Sequence, residues 1–272
     1  MNIPQTPLTL SNIEKTLAGL PLGGVRFFPS TASTNTDALD WSAQGAPDFS
    51  VVLADAQTQG RGRIARRWFT PAGDALACSF IFRPRVSEQP NLALFTVLGA
   101  LAVCHLAEQF CNTPAHIKWP NDVLIEGKKT AGILAETVWE ADQPTALVLG
   151  IGVNLLPASV PDSNTLLFPA TCLQEHALQP IDRLQALYLL VEGLLKYRPM
   201  VSDKPTLLHA WRSRLAYVGE NVTISATGRP LVQGIYIGVD GDGSALLKDA
   251  NGNVSSHPAG DLSLRLAKPN PD

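Results

Sequence analysis

The chain has 272 residues, of which 45% are hydrophobic and 17% charged, and this composition excludes a disordered or collagen-like protein. The length allows one large domain, or a main domain with a small appendage. Lysine and arginine number 21 against 24 acidic residues, so the formal net charge of -3 lacks the basicity of a dedicated nucleic-acid-binding protein, and any anion site must be local.

The cysteines and the N-terminus indicate a reduced compartment without membrane attachment. The four cysteines show no CxxC spacing, and Cys78 and Cys104 lie inside apolar runs. Pro4 and Pro7 stand where a signal peptide needs a basic and then an apolar region. The longest uncharged apolar stretch, 92–107, is predicted to be a buried helix that is too short to span a bilayer. We therefore expect a cytoplasmic protein.

Residues 1–24 are predicted to be a short N-terminal extension, and residues 25–216 to form a main domain in which strands outnumber helices. The predicted elements of this domain are, in chain order, a helix at 36–43 that Thr34 or Asn35 caps, strands at 51–54 and 75–82 on either side of a loop at 55–74, a buried helix at 92–110, strands at 116–119, 122–125, 131–139 and 145–154, and helices at 183–197 and 205–215. Short connections between the strands favour antiparallel pairing. The expected fold class is therefore α+β, with a mixed, mostly antiparallel sheet and helices on one face.

Residues 217–268 have a different character and predict a small C-terminal β-barrel domain. Short strands alternate with glycine-rich turns such as DGDG at 240–243. That turn is not a calcium loop, because Ala245 and Asn251 stand where such a loop needs Gly and Glu. The five histidines form no ligand-spaced pair, so no structural metal is predicted.

The densest chemical signal is the segment GRGRIARRW at 60–68. It holds four arginines and no carboxylate, together with glycines that free the backbone. Because guanidinium groups match phosphate oxygens in bidentate geometry, the segment predicts a phosphate-binding loop that stays mobile until a polyanion neutralises it. A solvated basic loop and a nucleic-acid contact are alternatives that composition leaves open.

Two further motifs are candidates for chemistry. KWPND at 118–122 precedes a strand that opens with Lys129 and aims this side chain at a sheet end, although a plain strand–turn–strand connection gives the same pattern. GIGVN at 150–154 has two glycines that permit close approach of a flat group and ends in Asn154, a donor and acceptor; a packed β-bulge is the alternative. Dinucleotide, P-loop and serine-hydrolase motifs are absent from the sequence.

In this order, STN at 33–35, the segment 57–68, KWPND with the strand from Lys129 to Glu136, and GIGVN resemble the motifs of the biotin protein ligases. The resemblance covers residues 25–266. It implies the class II synthetase-like biotin/lipoate ligase fold with an SH3-like C-terminal β-barrel. It also implies an ATP-dependent ligase that makes biotinyl-5'-AMP, assisted by Mg²⁺, and passes biotin to one lysine of a biotin carboxyl carrier protein of the acetyl-CoA carboxylase type.

The resemblance also implies roles for individual residues. The biotin end would be lined by Ser33, Thr34, Asn35 and Gln57. The loop that folds over biotin and the adenylate phosphate would contain Gly60, Arg61, Gly62 and Arg63. Lys129 would reach the biotin carboxylate and the α-phosphate, and Lys129 and Arg63 are the expected catalytic residues. The nucleotide and metal side would contain Trp68, Asn121, Asp122 and Asn154, with Arg265 approaching the phosphates and a catalytic magnesium near Asp122.

The sequence departs from the family pattern in two places, and two other functions stay open. Ile64 and Ala65 stand where the family has a glycine in the loop. About 25 residues precede the first motif, too few for the DNA-binding domain of family members that are also repressors. No DNA partner is therefore expected. A homodimer is possible by the resemblance. The alternatives are a lipoate-protein ligase-like enzyme and an arginine-loop nucleic-acid-binding module.

Overall fold

The computed structural model describes residues 6–166, 168–225, 231–260 and 262–267. Its α-helices are α1 Leu10–Thr16, α2 Thr34–Ala43, α3 Phe95–Phe110, α4 Arg183–Tyr197 and α5 Lys204–Arg212. Its strands are β1 Gly24–Thr31, β2 Ser50–Gln57, β3 Ala75–Phe82, β4 Ala115–Lys118, β5 Asp122–Ile125, β6 Lys128–Glu140, β7 Gln143–Asn154, β8 Asn221–Ser225, β9 Val232–Val239, β10 Ala245–Lys248, β11 Val254–His257 and β12 Ser263–Leu266. Parts of the predicted segments 1–24 and 217–268, at 1–5, 226–230, 261 and 268, lie outside the described residues.

Seven strands form the main sheet in the order β1-β2-β3-β7-β6-β5-β4. β1 and β2 are parallel, and every other neighbouring pair is antiparallel. The predicted mixed, mostly antiparallel sheet is thereby confirmed. β2 is longer than predicted, so Asp55 and Gln57 belong to a strand rather than to the following loop. α5 ends at Arg212, three residues before its predicted end.

The helices cover both faces of this sheet, which corrects the expectation of helices on one face. Alternate residues of β2 point to opposite sides, as the pleat of a strand requires. Val51 and Leu53 join the large core cluster that contains α3 and α4, whereas Val52 packs with Ala38 of α2 in a separate small cluster. α2 therefore lies alone among the α-helices on the face that also carries the candidate site.

α3 extends a 3₁₀ turn at Gln89–Leu94, and together they form a helical stretch of 22 residues, Gln89–Phe110. This stretch is long and apolar enough to cross a membrane, unlike the shorter segment judged from the sequence. Most of it is buried between the sheet and α4, and Gly193 of α4 lets the two helices approach at Ala102. Its apolar composition is accounted for by this position in the core.

The second sheet has five antiparallel strands in the order β11-β10-β9-β8-β12. Val222, Tyr236 and Leu264 are buried on its inner side. The indole Nε1–H of Trp119 donates to the Gly243 carbonyl at 3.0 Å and ties this sheet to the main domain. A C-terminal β-module is confirmed, and its closure into an SH3-like barrel stays a prediction.

Candidate functional site

A cavity lies where the start of α2, the loop at 60–68 and strands β3, β5, β6 and β7 meet. The C-terminal module closes one side of it with Leu262 and Ser263. The predicted site residues that line it are Ser33, Thr34, Asn35, Gln57, Arg61, Gly62, Arg63, Trp68, Asn121, Asp122 and Lys129. Four motifs that are far apart in sequence therefore converge on one site.

At one end of the cavity, Gln57 fixes the start of α2. Its Oε1 accepts from the Thr34 backbone N–H at 2.9 Å and from the Thr34 hydroxyl at 3.1 Å. The buried Ser79 hydroxyl donates to Asn35 Oδ1 at 2.5 Å. These contacts explain why neither Thr34 nor Asn35 caps the helix as predicted; Ser33 holds the N-cap position without a side-chain bond. The side chains of the STN motif are directed to the neighbouring strands instead.

The two glycines of GIGVN make room for side chains of the site. A Cβ atom at Gly150 would overlap the Asn35 carboxamide, and one at Gly152 would overlap the Trp68 indole. The β6–β7 register is regular here and shifts only at 138/139, so the alternative of a β-bulge at this motif is wrong. The flat group that approaches the strand in this structure is the Trp68 ring. Its indole N–H is buried without an acceptor among the described residues.

The loop at 60–68 folds back on itself as a small hairpin over the cavity. Trp68 N–H donates to the Gly60 carbonyl at 2.8 Å, and Gly62 N–H donates to the Arg66 carbonyl at 2.7 Å. Ile64 and Ala65, at the tip, have φ values of 56° and 53°. These left-handed conformations favour glycine, which is the residue that the family pattern has in this part of the loop.

Two loop arginines reach partners outside the loop. Arg61 Nη2 donates to Glu136 Oε2 of β6 at 2.6 Å. Arg63 donates to Asn121 Oδ1 at 3.0 Å and to backbone carbonyls of the C-terminal module at Ala259, Gly260 and Leu262. The carboxylate that the loop lacks in sequence is thus supplied by a strand. Mobility of the loop before a polyanion binds stays a prediction.

Lys118, Asp122 and Lys129 form a buried charged group at the other end of the cavity. Asp122 accepts from Lys118 at 2.8 Å through Oδ2 and lies 2.5 Å from Lys129 Nζ through Oδ1. Burial by itself would raise the pKa of Asp122, but the two ammonium groups overcome it and hold that pKa well below its usual range. Burial lowers the pKa of Lys118, against the opposing effect of Asp122. The antiparallel pairing of β5 with β6 brings these residues together, because Asp122 pairs with Gly132 and Lys129 with Leu124, with a register shift between Val123 and Leu124.

The magnesium expected near Asp122 does not fit this arrangement. Both carboxylate oxygens are engaged by ammonium groups, so a divalent cation at Asp122 would meet two positive charges. Within the described ranges there is no cluster of three or more His, Cys, Asp or Glu side chains suited to a metal. Asp122 is therefore occupied as the counter-ion of two lysines rather than free to bind a metal.

Three predicted residues lie outside the cavity lining: Gly60, whose carbonyl accepts from Trp68 N–H at the base of the loop hairpin, Asn154 and Arg265. Asn154 is buried, and its side chain donates to the Thr171 carbonyl at 3.1 Å, which anchors a neighbouring segment. Arg265 lies on β12, where its charge contributes to the lowered pKa of Lys118. Ser79 and Glu136 contact site residues, although the sequence motifs imply no role for either of them. Period-2 alternation from Gly132 through Leu134 to Glu136 is the signal that places Glu136 on the cavity side.

Comparison with protein families and solved structures gives consistent matches. The model of the biotin/lipoate A/B protein ligase family matches residues 27–154. The biotin--[acetyl-CoA-carboxylase] ligase of Paracoccus denitrificans is 34% identical over 229 residues, 82% of this chain and 93% of that protein. The bifunctional ligase/repressor BirA of Bacillus subtilis is 34% identical over 239 residues, 86% of this chain and 71% of that protein.

A solved structure of the biotin protein ligase from Aquifex aeolicus in complex with biotin and ATP has a similar fold. The TM-score is 0.76 at 27% identity, with 90% of this chain and 99% of that chain covered. The structural match therefore covers far more of this chain than residues 27–154, the part that the family model matches.

Proposed function

Since the chain belongs to the biotin/lipoate A/B protein ligase family, we propose that it is a biotin–[biotin carboxyl-carrier protein] ligase. It activates biotin with ATP as biotinyl-5'-AMP and transfers the biotinyl group to a lysine of a biotin carboxyl carrier protein. The similarity to a biotin--[acetyl-CoA-carboxylase] ligase along 93% of that enzyme carries the proposal. The cavity supports it, because hydrogen-bonding groups at one end face a cationic group at the other.

The first half-reaction brings two anions together. A carboxylate oxygen of biotin attacks the α-phosphorus of ATP, the bond to the β-phosphate oxygen breaks, and pyrophosphate leaves. No protein nucleophile is needed, so catalysis consists of positioning and electrostatic stabilisation. Lys129 is the proposed catalytic residue, since its ammonium group borders the cavity and is held in place by Asp122. Arg63 is the proposed second cation, directed at the phosphate.

The second half-reaction transfers the acyl group. The neutral amine of the carrier lysine attacks the carbonyl carbon of the mixed anhydride, AMP leaves, and an amide forms with loss of the amine proton. The intermediate must be kept from water until the carrier arrives. Closure of the loop over the cavity provides that protection, with Arg61 and Arg63 as the groups that neutralise the adenylate phosphate.

The remaining roles follow the resemblance. Ser33, Thr34, Asn35 and Gln57 line the biotin end, where donors and acceptors are held in fixed directions. Trp68, Asn121 and Asp122 lie on the nucleotide side of the cavity. Neither Asn154 nor Arg265 borders the cavity, so their proposed part in nucleotide binding is indirect.

The cellular setting is a further part of the proposal. All four cysteines are free and buried, which agrees with a reducing, cytoplasmic compartment. Magnesium would then arrive with ATP rather than at a protein site. A homodimer stays a prediction; the edges of the main sheet are β1 and β4.

The decisive experiment is ATP-dependent transfer of labelled biotin to an apo carrier domain. Labelling is expected with the natural carrier and not with one whose target lysine is replaced by arginine. Exchange of labelled pyrophosphate into ATP, measured with biotin and with lipoate at equal concentration, separates the two ligase classes. Exchange with lipoate alone would contradict the proposal. Salt-dependent nucleic-acid binding that biotin and ATP leave unchanged would favour the arginine-loop module instead.

A further inference from the structure

Glu136 joins two parts of the site that have no sequence proximity. Gly132 and Leu134 of β6 line the cavity, and Glu136, the next residue in the period-2 alternation of the strand, lies beyond the lining, where it contacts Arg61. The Glu136 carboxylate accepts through Oε2 from Arg61 Nη2 at 2.6 Å and from Asn35 Nδ2 at 2.7 Å. A single oxygen therefore contacts both the loop over the cavity and the start of α2.

The two residues that Glu136 contacts, Asn35 and Arg61, differ in how firmly the rest of the structure holds them. Asn35 is fixed, because Ser79 of the buried strand β3 donates to its Oδ1 and Gly150 lies directly against its amide. Arg61 stands between two glycines in a hairpin whose tip carries Ile64 and Ala65 in left-handed conformations. Such a hairpin depends on contacts with the sheet to keep one position. Glu136 offers that contact from a long strand that is paired with β7.

We propose that Glu136 is a positioning residue that latches the loop at 60–68 onto the sheet through Arg61, and that it couples this closure to the Asn35 end of the cavity. The inference rests on the proposed function for its catalytic consequence, retention of the adenylate. It does not need that function for its structural part, the position of the loop in the ligand-free protein.

The geometry makes Glu136 a support for Arg61 rather than a competitor of the ligand. The pair uses Nη2, whereas a guanidinium has five N–H donors in a planar fork. Arg61 also borders the cavity, so its remaining donors are available to an anion there. Both side chains of the pair are partly exposed, at 39% and 28%, so the strength of the latch depends on salt.

The loop itself provides a probe, because its four arginines are potential cleavage sites for trypsin. The test compares the ligand-free wild type with Glu136→Gln, which keeps size and removes charge. The matched control is Glu140→Gln, an exposed position four residues further along the same strand. Glu136→Gln is expected to be cleaved within the loop about threefold to tenfold faster, while Glu140→Gln matches the wild type. High salt is expected to speed cleavage of the wild type and to leave Glu136→Gln unchanged.

A second measurement reads the catalytic consequence. Release of preformed biotinyl-5'-AMP is expected to be faster in Glu136→Gln by a similar factor. Arg61→Gln is expected to show the same faster cleavage at the remaining loop arginines, and adding Glu136→Gln to it should change nothing further. Glu136→Asp keeps the charge on a shorter side chain. Its cleavage and release rates should therefore lie between those of the wild type and Glu136→Gln.

Equal cleavage of wild type and Glu136→Gln would overturn the latch, and so would additive effects in the double variant. Faster cleavage with unchanged release would overturn the coupling to the ligand. A chain that makes no adenylate from biotin or lipoate would refute the proposed function, while the cleavage rates would still decide the latch. Thermal melting of Glu136→Gln close to that of Glu140→Gln would show that the fold is intact.

Discussion

The Nζ atom of Lys129 lies 2.5 Å from Oδ1 of Asp122, and that carboxylate is buried. Lys118 engages the other carboxylate oxygen at 2.8 Å. One buried anion thus holds two cations, and Lys129, which is less buried than Lys118, is the one presented to the cavity. Asp122 fixes the direction of the ammonium group without being positioned to react itself.

Removal of the Lys129 ammonium should strongly slow adenylate synthesis while leaving the fold intact. For Lys129→Ala we expect a loss of about 3 kcal/mol of transition-state stabilisation, on the order of a hundredfold in adenylate synthesis. Asp122 keeps Lys118 as a partner, so the melting temperature should change little. Pyrophosphate exchange measures the effect, and Lys128→Ala, the exposed neighbour, is the control. Unchanged exchange in Lys129→Ala would remove this residue from the mechanism.

Asp122→Asn should destabilise the protein, because it leaves the buried Lys118 ammonium without its counter-charge. A loss of about 3 kcal/mol in the free energy of unfolding is expected, measured by denaturant titration at neutral pH. Asn has nearly the same volume, so packing is not the cause. A stability equal to that of the wild type would show that the carboxylate is not the counter-charge of Lys118.

The same variant tests a pH dependence. The pKa of Asp122 is lower in the folded protein than in the unfolded chain, so its stabilising contribution is complete above the unfolded pKa of about 4. The contribution is lost as the pH falls below that value. Stability measured from pH 6 to pH 2.5 should therefore decline more steeply in the wild type than in Asp122→Asn. Parallel curves would contradict the lowered pKa.

Arg61→Ala should let biotinyl-5'-AMP escape. The substitution removes both the ion pair with Glu136 and a donor group at the cavity, so the loop no longer covers the intermediate. We expect the adenylate to be released about tenfold faster than from the wild type. The release rate is measured by filtration of enzyme preloaded with labelled adenylate. Arg85→Ala, an exposed arginine outside the cavity lining, should behave as the wild type. Retention of the adenylate by Arg61→Ala would contradict the covering role of the loop.

Gly152→Ala should displace Trp68 from its place against β7. A methyl group there would overlap the indole, so the ring must shift to accommodate it. The expected result is a change in tryptophan fluorescence together with at least tenfold weaker ATP binding, which corresponds to about 1.4 kcal/mol. Gly241→Ala, where an added Cβ meets nothing within 4 Å, is the control. Normal ATP binding by Gly152→Ala would show that the Trp68 position does not matter.

Ala65→Gly should relieve strain at the loop tip. Ala65 has a φ of 53°, a conformation that costs a residue with a Cβ about 1 kcal/mol relative to glycine. Tryptic cleavage of the loop in Ala65→Gly is therefore expected to be slower than in the wild type. Ala65→Ser keeps a Cβ and should give no protection. Faster cleavage of Ala65→Gly would mean that the added freedom of the open loop outweighs the strain.

Much of the fold could be predicted because it depends on local patterns. Apolar residues that recur at helical spacing predict α4 with its observed bounds, and in the structure Asp182 supplies a side-chain N-cap. α2 is harder to predict, because three of its four buried positions are polar: Thr34, Asn35 and Ser42. Its packing on the opposite face of the sheet is a tertiary feature that no periodicity in the segment encodes.

Site residues could be predicted where a sequence motif contains them. Their side-chain partners could not be predicted where these come from distant parts of the chain. Lys129 and Asp122 were found through KWPND and the following strand, but their ion pair depends on the β5–β6 register. Asn154 belongs to a motif, yet its side chain points to Thr171 rather than into the cavity. Glu136 has no spacing relation to Arg61, 75 residues away, so its contact appears only in three dimensions.

Arg63 donates hydrogen bonds to backbone carbonyls of the C-terminal module, so the packing of this module is coupled to the state of the Arg63 side chain in the cavity. Any phosphate that draws this guanidinium away removes hydrogen bonds that hold the small sheet against the large one. Coupling between two sites is reciprocal. A ligand that changes how the small sheet packs on the large one therefore changes the affinity for that phosphate by the same factor. Under the proposed function, a ligand that displaced the C-terminal module would therefore also change the affinity of the site for the nucleotide phosphate.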